Sequence, residues 1–284
     1  KKRMNEIFFL FFLALVWIVF AVIQDLKTRE IANWLNFSLI AFALGFRFFY
    51  SLFSAGNFNF FYQGLIGLGI FFVIGNALYY GKMFAGGDAK LLIALGAVLP
   101  FSEVFSENLE NFFFFIVIFL FAGAVYSIIV SARLCIKNYG KFKKEFKKQL
   151  GSHKNLVSIV VLLDILLLIV FFNNLDVLLF ILAVLIFISP YLYFYAKAVD
   201  ETSMVKTVDS KKLREGDWLY RDVKVRGRII RANWDGLKKE EISLLRKRYR
   251  KILIREGVPF TPVFLVSFLI FFYLWIAGLR YSFW

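Results

Sequence analysis

The chain has 284 residues, of which 60% are hydrophobic and 20% aromatic, and its formal net charge is +15. Apolar stretches long enough to cross a bilayer recur from end to end, so the composition excludes a soluble domain and predicts a polytopic membrane protein. A single cysteine, Cys135, excludes an internal disulfide and any zinc site built from several cysteines. We attribute the positive charge to cytoplasmic loops that meet anionic lipid headgroups, in preference to nucleic-acid binding.

The first apolar run, residues 7–23, carries no charge and would be about 26 Å long as a helix, close to the roughly 30 Å of a hydrocarbon core. No small-residue cleavage site follows this run, so we expect a retained helix and not a signal peptide. Further apolar runs predict an α-helical polytopic fold of about eight transmembrane helices. The predicted spans are 7–23, 34–54, 61–80, 89–105, 111–134, 156–172, 177–196 and 261–279. The fourth is the weakest because Pro100 and Glu103 interrupt it.

The charges of the connecting segments predict an orientation. Basic segments are expected on the cytoplasmic side, and they are 24–33, 81–90, 137–155 and 197–260. The neutral or acidic segments 54–59, 100–111 and 173–176 then lie outside. The N-terminal Lys1, Lys2 and Arg3 give the one opposing signal. Without the fourth span, every later loop would change sides and the acidic segments would face the cytoplasm, so the charge pattern supports that span.

We divide the chain into a transmembrane core, a basic cytoplasmic loop, an additional transmembrane hairpin, a small α+β cytoplasmic subdomain and a C-terminal transmembrane helix. Their predicted ranges are 1–134, 135–155, 156–196, 197–260 and 261–284. In the subdomain, the alternation of 216–230 predicts one or two short strands, and 235–250 predicts a helix with Asp235 as its N-cap. The basic loop fits an amphipathic helix on anionic headgroups and a solvated loop equally well.

Two aspartates lie at the predicted cytoplasmic ends of spans. Asp25 closes the first span and Asp88 opens the fourth, so helices of opposite direction place both carboxyl groups at the same membrane depth. If those helices are neighbours, the two groups can share a proton, which leaves one general base for water and one acid to polarise a scissile amide. Gly86 and Gly87 would allow close backbone approach and an extended substrate beside Asp88. The spacing fits equally well two aspartates that only cap helix ends, with basic neighbours at Lys27, Arg29, Lys82 and Lys90.

Two sequence motifs favour the first of these interpretations. The stretch "QDLKTREIANWL", from Gln24, resembles the first signature of the type IV prepilin peptidases, and "AGGDAKLL", from Ala85, resembles their Gly-x-Gly-Asp motif. The pair is specific in this order and on these spans, and the resemblance covers about the first 134 residues. The later stretches "LREGDWL" and "REGVPFTPV" are similar to the archaeal branch, the preflagellin and prepilin peptidases.

The resemblance implies an aspartyl endopeptidase of the intramembrane type that removes the N-terminal leader of prepilin-like or preflagellin-like precursors at the cytoplasmic face of the cell membrane. It implies Asp25 and Asp88 as catalytic residues. Motif support would come from Gly86, Gly87, Lys90 and Asn33. Membrane lipids would be the other partner, and no metal or cofactor is expected. The four-cysteine zinc module of bacterial relatives is excluded by the single cysteine, so we expect peptidase activity only.

The sequence departs from the family pattern at two positions. Ala85 stands where the motif has its first glycine, and Ala32 stands where the first signature usually has proline. Both substitutions put the local backbone in question, while both aspartates are retained.

The rival interpretation is a proton-coupled transporter with a carboxylate relay through Asp25, Asp88 and Asp164. A relay should place carboxylates across the thickness of the membrane, whereas two of these share one face, which favours the peptidase. An inactive pseudoenzyme that holds assembly factors is a third possibility. We assign structural roles to Asp164 and to Arg47, although both fall inside predicted spans. The lone His153 is expected to be a solvated loop residue and makes no metal site.

Overall fold

The fold is known from a computed structural model that describes residues 4–55, 57–174, 177–225 and 227–278. The chain divides into two compact units, one formed by Lys1–Ser127 with Val258–Trp284 and the other by Ile128–Gly257. The described residues form ten α-helices: α1 Met4–Thr28, α2 Asn33–Tyr50, α3 Asn59–Tyr80, α4 Gly86–Gly96, α5 Phe105–Lys137, α6 Tyr139–Ser152, α7 Lys154–Asn174, α8 Val177–Val199, α9 Lys239–Arg248 and α10 Thr261–Ile276. Short π-helical segments follow α2 and α8, at Ser51–Ala55 and Asp200–Met204.

Six helical segments are long and apolar enough to cross a membrane, which confirms the polytopic α-helical class. They are Met4–Thr28, Asn33–Phe53, Asn59–Tyr80, Phe105–Lys137, Lys154–Asn173 and Val177–Met204. The predicted count of eight is not confirmed among the described residues. The predicted last span corresponds to the shorter apolar helix α10, and its final residue, 279, lies outside the described part of the chain, as do Lys1, Lys2 and Arg3.

The predicted fourth span is the clearest difference. Its helix, α4, has 11 residues and is therefore about 16 Å long, roughly half of a hydrocarbon core. The chain leaves the helix after Gly96, and the residues up to Val104 are not helical, because Pro100 cannot continue the backbone hydrogen-bond ladder. Helix α4 is nevertheless apolar and buried over most of its length.

Glycines let α4 pack closely on α3. A Cβ atom on Gly96 would lie 2.6 Å from the carbonyl oxygen of Gly67, and one on Gly67 would overlap the carbonyl oxygen of Gly96. Small residues at such crossings allow membrane helices to approach backbone to backbone, which increases their dispersion contacts. Any larger side chain at either position would push α4 away from α3.

Aromatic packing joins α1 to α10 in the same unit. The ring of Phe11 stacks on Phe272, with 3.6 Å between centroids, and lies 5.2 Å from Phe268. All three side chains are buried. These contacts bring the first and the last described helices of the chain side by side.

The second unit contains the predicted α+β subdomain. Its described strands are β1 Val205–Asp209, β2 Trp218–Leu219, β3 Val223–Val225, β4 Arg228–Ile230 and β5 Lys251–Arg255. Strand β5 lies between β1 and β2, antiparallel to both, and β3 pairs with β4 in a separate antiparallel hairpin. Helix α9 covers this core with Ile242 and Leu245.

The helices of this unit bear on two predictions from the sequence, the N-cap of α9 and the conformation of the basic segment. Helix α9 begins after Lys238, whose backbone N–H donates to the Glu241 carboxylate at 2.9 Å, so the prediction of Asp235 as N-cap was wrong. The two glutamates in the first turn, Glu240 and Glu241, complement the positive end of the helix. The basic segment before the hairpin is largely the helix α6, while its position on lipid headgroups stays a prediction.

Candidate active site

Asp25 lies in the last turn of α1 and is buried, with 7% of its surface exposed. Its Oδ2 atom accepts two hydrogen bonds from Thr261, one from the backbone N–H at 3.2 Å and one from the hydroxyl at 2.9 Å. Thr261 is the first residue of α10 and is fully buried. The side chain of Asp25 therefore caps the N-terminus of a helix that follows it by more than 200 residues in sequence.

The turn between α1 and α2 accommodates Ala32 at the position where the family pattern usually has proline. Ala32 has φ −64° and ψ 135°, a conformation that proline would also adopt. Unlike proline, Ala32 has an N–H group, which donates to the side-chain oxygen of Gln24 at 3.1 Å. This hydrogen bond restrains the turn, whereas a proline at this position would restrain it through its ring.

Asp88 lies in the first turn of α4 and is half-buried. A carboxylate is favourable there because the N-terminal end of a helix carries partial positive charge. The preceding Ala85 has φ −69° and ψ 157°, which is ordinary extended backbone, so alanine needs no glycine-like freedom at this position. The charges of Asp88 and Asp25 lie within electrostatic reach of each other.

The two glycines before Asp88 differ in their surroundings. A Cβ atom on Gly87 would lie 3.2 Å from Cβ of Ile31, closer than an ordinary contact, whereas one on Gly86 would lie 3.6 Å from the Tyr79 ring. Gly87 therefore lets the start of α4 approach the α1–α2 turn. Gly86 is not required by packing in the described structure, and its predicted role beside a substrate stays a prediction.

The other two predicted support residues contact each other. The ammonium group of Lys90 donates to the side-chain oxygen of Asn33 at 2.7 Å. One turn further along α2, the buried Asn36 donates to the carbonyl oxygen of Gly87 at 3.5 Å. These polar contacts join the first turns of α2 and α4, so the segments of both sequence motifs meet.

Arg47 secures the opposite end of α4. It is fully buried, and its guanidinium donates to the carbonyl oxygens of Ala97 at 2.9 Å and Val98 at 3.0 Å, as well as to that of Pro100. A fourth hydrogen bond goes to Phe60 in α3 at 3.0 Å. The first three carbonyls belong to the non-helical residues that follow α4. Arg47 thus supplies donors to buried backbone that has left the helix, where no water is available in a lipid environment.

Asp164 belongs to the second unit, in α7, and is buried with 9% exposed. Its Oδ1 atom has no hydrogen-bond partner among the described residues. The described residues also contain no group of three or more His, Cys, Asp or Glu side chains that could hold a metal ion. The carboxyl group of Asp164 is thus not part of a polar cluster with ligating residues.

Replacement of Asp164 by Asn tests whether this carboxyl group takes part in any reaction of the protein. In an assay of the leader cleavage that the family resemblance implies, we expect Asp164→Asn to retain more than about half of the wild-type activity, because the amide is nearly isosteric and no described partner is lost. Initial rates of cleavage in detergent would measure this. A loss as complete as that of Asp88→Asn would place Asp164 in the mechanism and favour the relay.

Both aspartates lie in the part of the chain that matches a known protein family. Residues 12–128 match the model of the type IV leader peptidase family. A preflagellin peptidase from Methanococcus voltae is 30% identical over 135 residues, which are 44% of this chain and 56% of that protein. The chain thus matches a little over half the length of this relative. No solved structure matches this chain significantly.

These comparisons define the class as a multi-pass membrane protein similar to leader peptidases. They confirm the resemblance to the type IV prepilin peptidases and, more particularly, to their archaeal preflagellin branch.

Sequence reasoning missed Thr261 and Gln24 as partners in this region. Thr261 stands directly before Pro262 at the start of the last apolar run, a pattern that indicates the beginning of a helix. Its contact with Asp25 joins residues 236 positions apart, and no local pattern reports such a pairing. Gln24 adjoins Asp25 in sequence, but its role depends on the fold of the following turn.

Proposed function

We propose that this protein is an aspartyl endopeptidase that removes the N-terminal leader of prepilin-like or preflagellin-like precursors at the cytoplasmic face of the membrane. The observation that carries the proposal is that the helix ends that carry Asp25 and Asp88 meet, and that both lie inside the segment that matches the leader peptidase family. Gly87, next to Asp88, packs closely on Ile31 in the turn after α1, and Lys90 of α4 donates to Asn33 at the start of α2.

The chemistry needs two carboxyl groups in different protonation states. One aspartate is ionised and takes a proton from water as the water oxygen attacks the carbonyl carbon of the scissile amide. The other aspartate is protonated and gives its proton to the carbonyl oxygen. As the tetrahedral intermediate collapses and the carbon–nitrogen bond breaks, the first aspartate gives the proton it took from water to the leaving nitrogen. The second aspartate takes back the hydroxyl proton as the carbonyl reforms, which restores both starting protonation states. This scheme uses water and the two aspartates, without a metal.

The surroundings of the two aspartates support a membrane-anchored substrate. The first unit exposes large apolar side chains along α1 and α2, among them Phe12, Phe20 and Phe42, as expected of helices that face lipid. A precursor whose own apolar helix follows its leader would lie beside these helices. The bond just before that helix would then be presented at the depth of Asp25 and Asp88.

Co-expression with a leader-bearing pilin or flagellin precursor tests the activity. We expect a shift of the precursor to higher gel mobility, and N-terminal sequencing of the product should begin after the leader. A precursor with its cleavage-site residue replaced serves as the control. An unchanged precursor in the presence of well-folded, membrane-inserted wild-type protein would contradict the proposed function.

The cytoplasmic orientation can be tested separately with one introduced cysteine. Met83 lies in the segment before α4 and is 67% exposed, so a Met83→Cys variant in a Cys135→Ser background offers a single accessible thiol near Asp88. A membrane-impermeant maleimide should label this thiol only after the cells are permeabilised. Labelling of intact cells would place the site outside.

A further inference from the structure

The segment 258–262, which leads into the first turn of α10, contacts Asp25 and the part of the chain that precedes Asp88. Thr261 holds Asp25 through two hydrogen bonds. Its neighbour Phe260 lies with its ring centroid 5.5 Å from that of Phe84, four residues before Asp88. One short segment therefore contacts both the end of α1 and the chain just before α4.

This segment is itself fixed by the first unit. The hydroxyl of Tyr126 in α5 donates to the carbonyl oxygen of Pro259 at 2.8 Å. The ring of Phe260 packs on Phe119, with 5.9 Å between centroids, and lies close to Gly123, where a Cβ atom would stand 3.1 Å from the ring. Thr261 is thus presented to Asp25 from a packed backbone, and its position does not depend on Asp25 alone.

The two hydrogen bonds from Thr261 engage only one of the two carboxyl oxygens of Asp25. Both engage Oδ2, and no described hydrogen bond engages Oδ1. Asp25 as a whole keeps 7% of its surface exposed. One oxygen is held by the protein, and the other is left for water or substrate.

We propose that Thr261 is a positioning residue for the reaction: its hydroxyl and its N–H fix Oδ2 of Asp25 so that Oδ1 faces the reacting amide. Without the hydroxyl, the carboxyl group could rotate about its terminal bond, and the productive orientation would be one of several. Because the effect acts on the orientation of a reacting group, it should lower kcat with little change in KM. The inference rests on the proposed peptidase function.

The test compares Thr261→Val, Thr261→Ala and Thr261→Ser with wild type in steady-state cleavage of the precursor. Valine keeps the shape and removes the hydroxyl, and we expect kcat to fall by roughly tenfold to a hundredfold, the usual effect of losing a hydrogen bond to a charged group. KM should change by less than about threefold. Serine keeps the donor and should retain kcat within about threefold. The serine-to-alanine ratio isolates the hydroxyl if the valine variant folds poorly, because these two side chains differ by that group alone.

Ser267→Ala is the matched control. Ser267 is buried in the same helix, and its hydroxyl donates only to the backbone carbonyls of Val263 and Phe264 among the described residues, so its loss should leave kcat unchanged. Equal kcat for the serine and alanine variants at position 261, or a change confined to KM, would overturn the inference. Failure of the wild type to cleave would instead contradict the proposed function, and the two failures are therefore distinguishable.

Discussion

Replacing either Asp25 or Asp88 by asparagine is expected to reduce leader cleavage by at least about a thousandfold while the protein still inserts into the membrane. The amide keeps the size of the side chain but can neither take a proton from water nor give one to the carbonyl oxygen. Removing either partner removes the whole acid–base step, so each single variant should be as inactive as the double variant. Single-turnover cleavage with purified protein would measure the loss.

Membrane insertion and folding must be intact for this result to count. Asp25→Asn keeps an oxygen that can accept from Thr261, so the contact at the start of α10 can persist. Extraction in detergent and the thermal unfolding midpoint should therefore stay close to those of wild type. Asp164→Asn, which also replaces a buried aspartate by its amide, is the matched control for activity. Near-normal cleavage by Asp25→Asn would exclude the acid–base pair.

The sequence predicted where the aspartates and their neighbours lie in the fold, because each belongs to a local motif, while their roles in a reaction stay a prediction. Asp25 and Asp88 stand at the ends of apolar runs, and Lys90 and Asn33, which were predicted separately, form a hydrogen bond with each other. Helical boundaries at these ends follow from the change between apolar and polar residues, which is a property of neighbouring positions.

The parts that the sequence could not provide depend on contacts distant in the chain. The hydrophobic run after Asp88 is long enough to suggest a full span, but the helix ends at Gly96. Just beyond it, the guanidinium of Arg47 donates to the carbonyl oxygens of Ala97 and Val98. A pattern of apolar residues does not distinguish a helix that crosses lipid from one that is buried among other helices. In the subdomain, the alternation of 216–230 predicted one or two short strands, whereas three lie there, β2, β3 and β4, each two or three residues long. Strands this short are not separated by an alternation pattern.

Replacement of Arg47 is expected to have the largest effect on stability. Arg47→Met would leave the carbonyl groups of Ala97, Val98 and Pro100 without the guanidinium donors that they have now. An unsatisfied buried carbonyl costs about 1–3 kcal/mol. Water or local rearrangement would recover part of this, so we expect the free energy of unfolding to fall by about 3–5 kcal/mol and the thermal midpoint to fall by roughly 10 °C. Thermal unfolding in detergent, followed by the far-ultraviolet circular dichroism, would measure it.

Arg47→Lys separates the geometry of the guanidinium from its charge. Lysine keeps the positive charge at the end of α4 but presents its donors from one nitrogen, whereas arginine presents a planar fork that reaches several carbonyls at once. We therefore expect the lysine variant to be intermediate in stability, and Lys137→Met, which removes an exposed cation, to match wild type. Because α4 carries Asp88 at its other end, cleavage should fall in the same order as stability. A lysine variant as stable as wild type would show that a positive charge alone is sufficient to stabilise this end of α4. A stable and fully active Arg47→Met variant would show instead that the glycine contacts with α3 hold α4 in place.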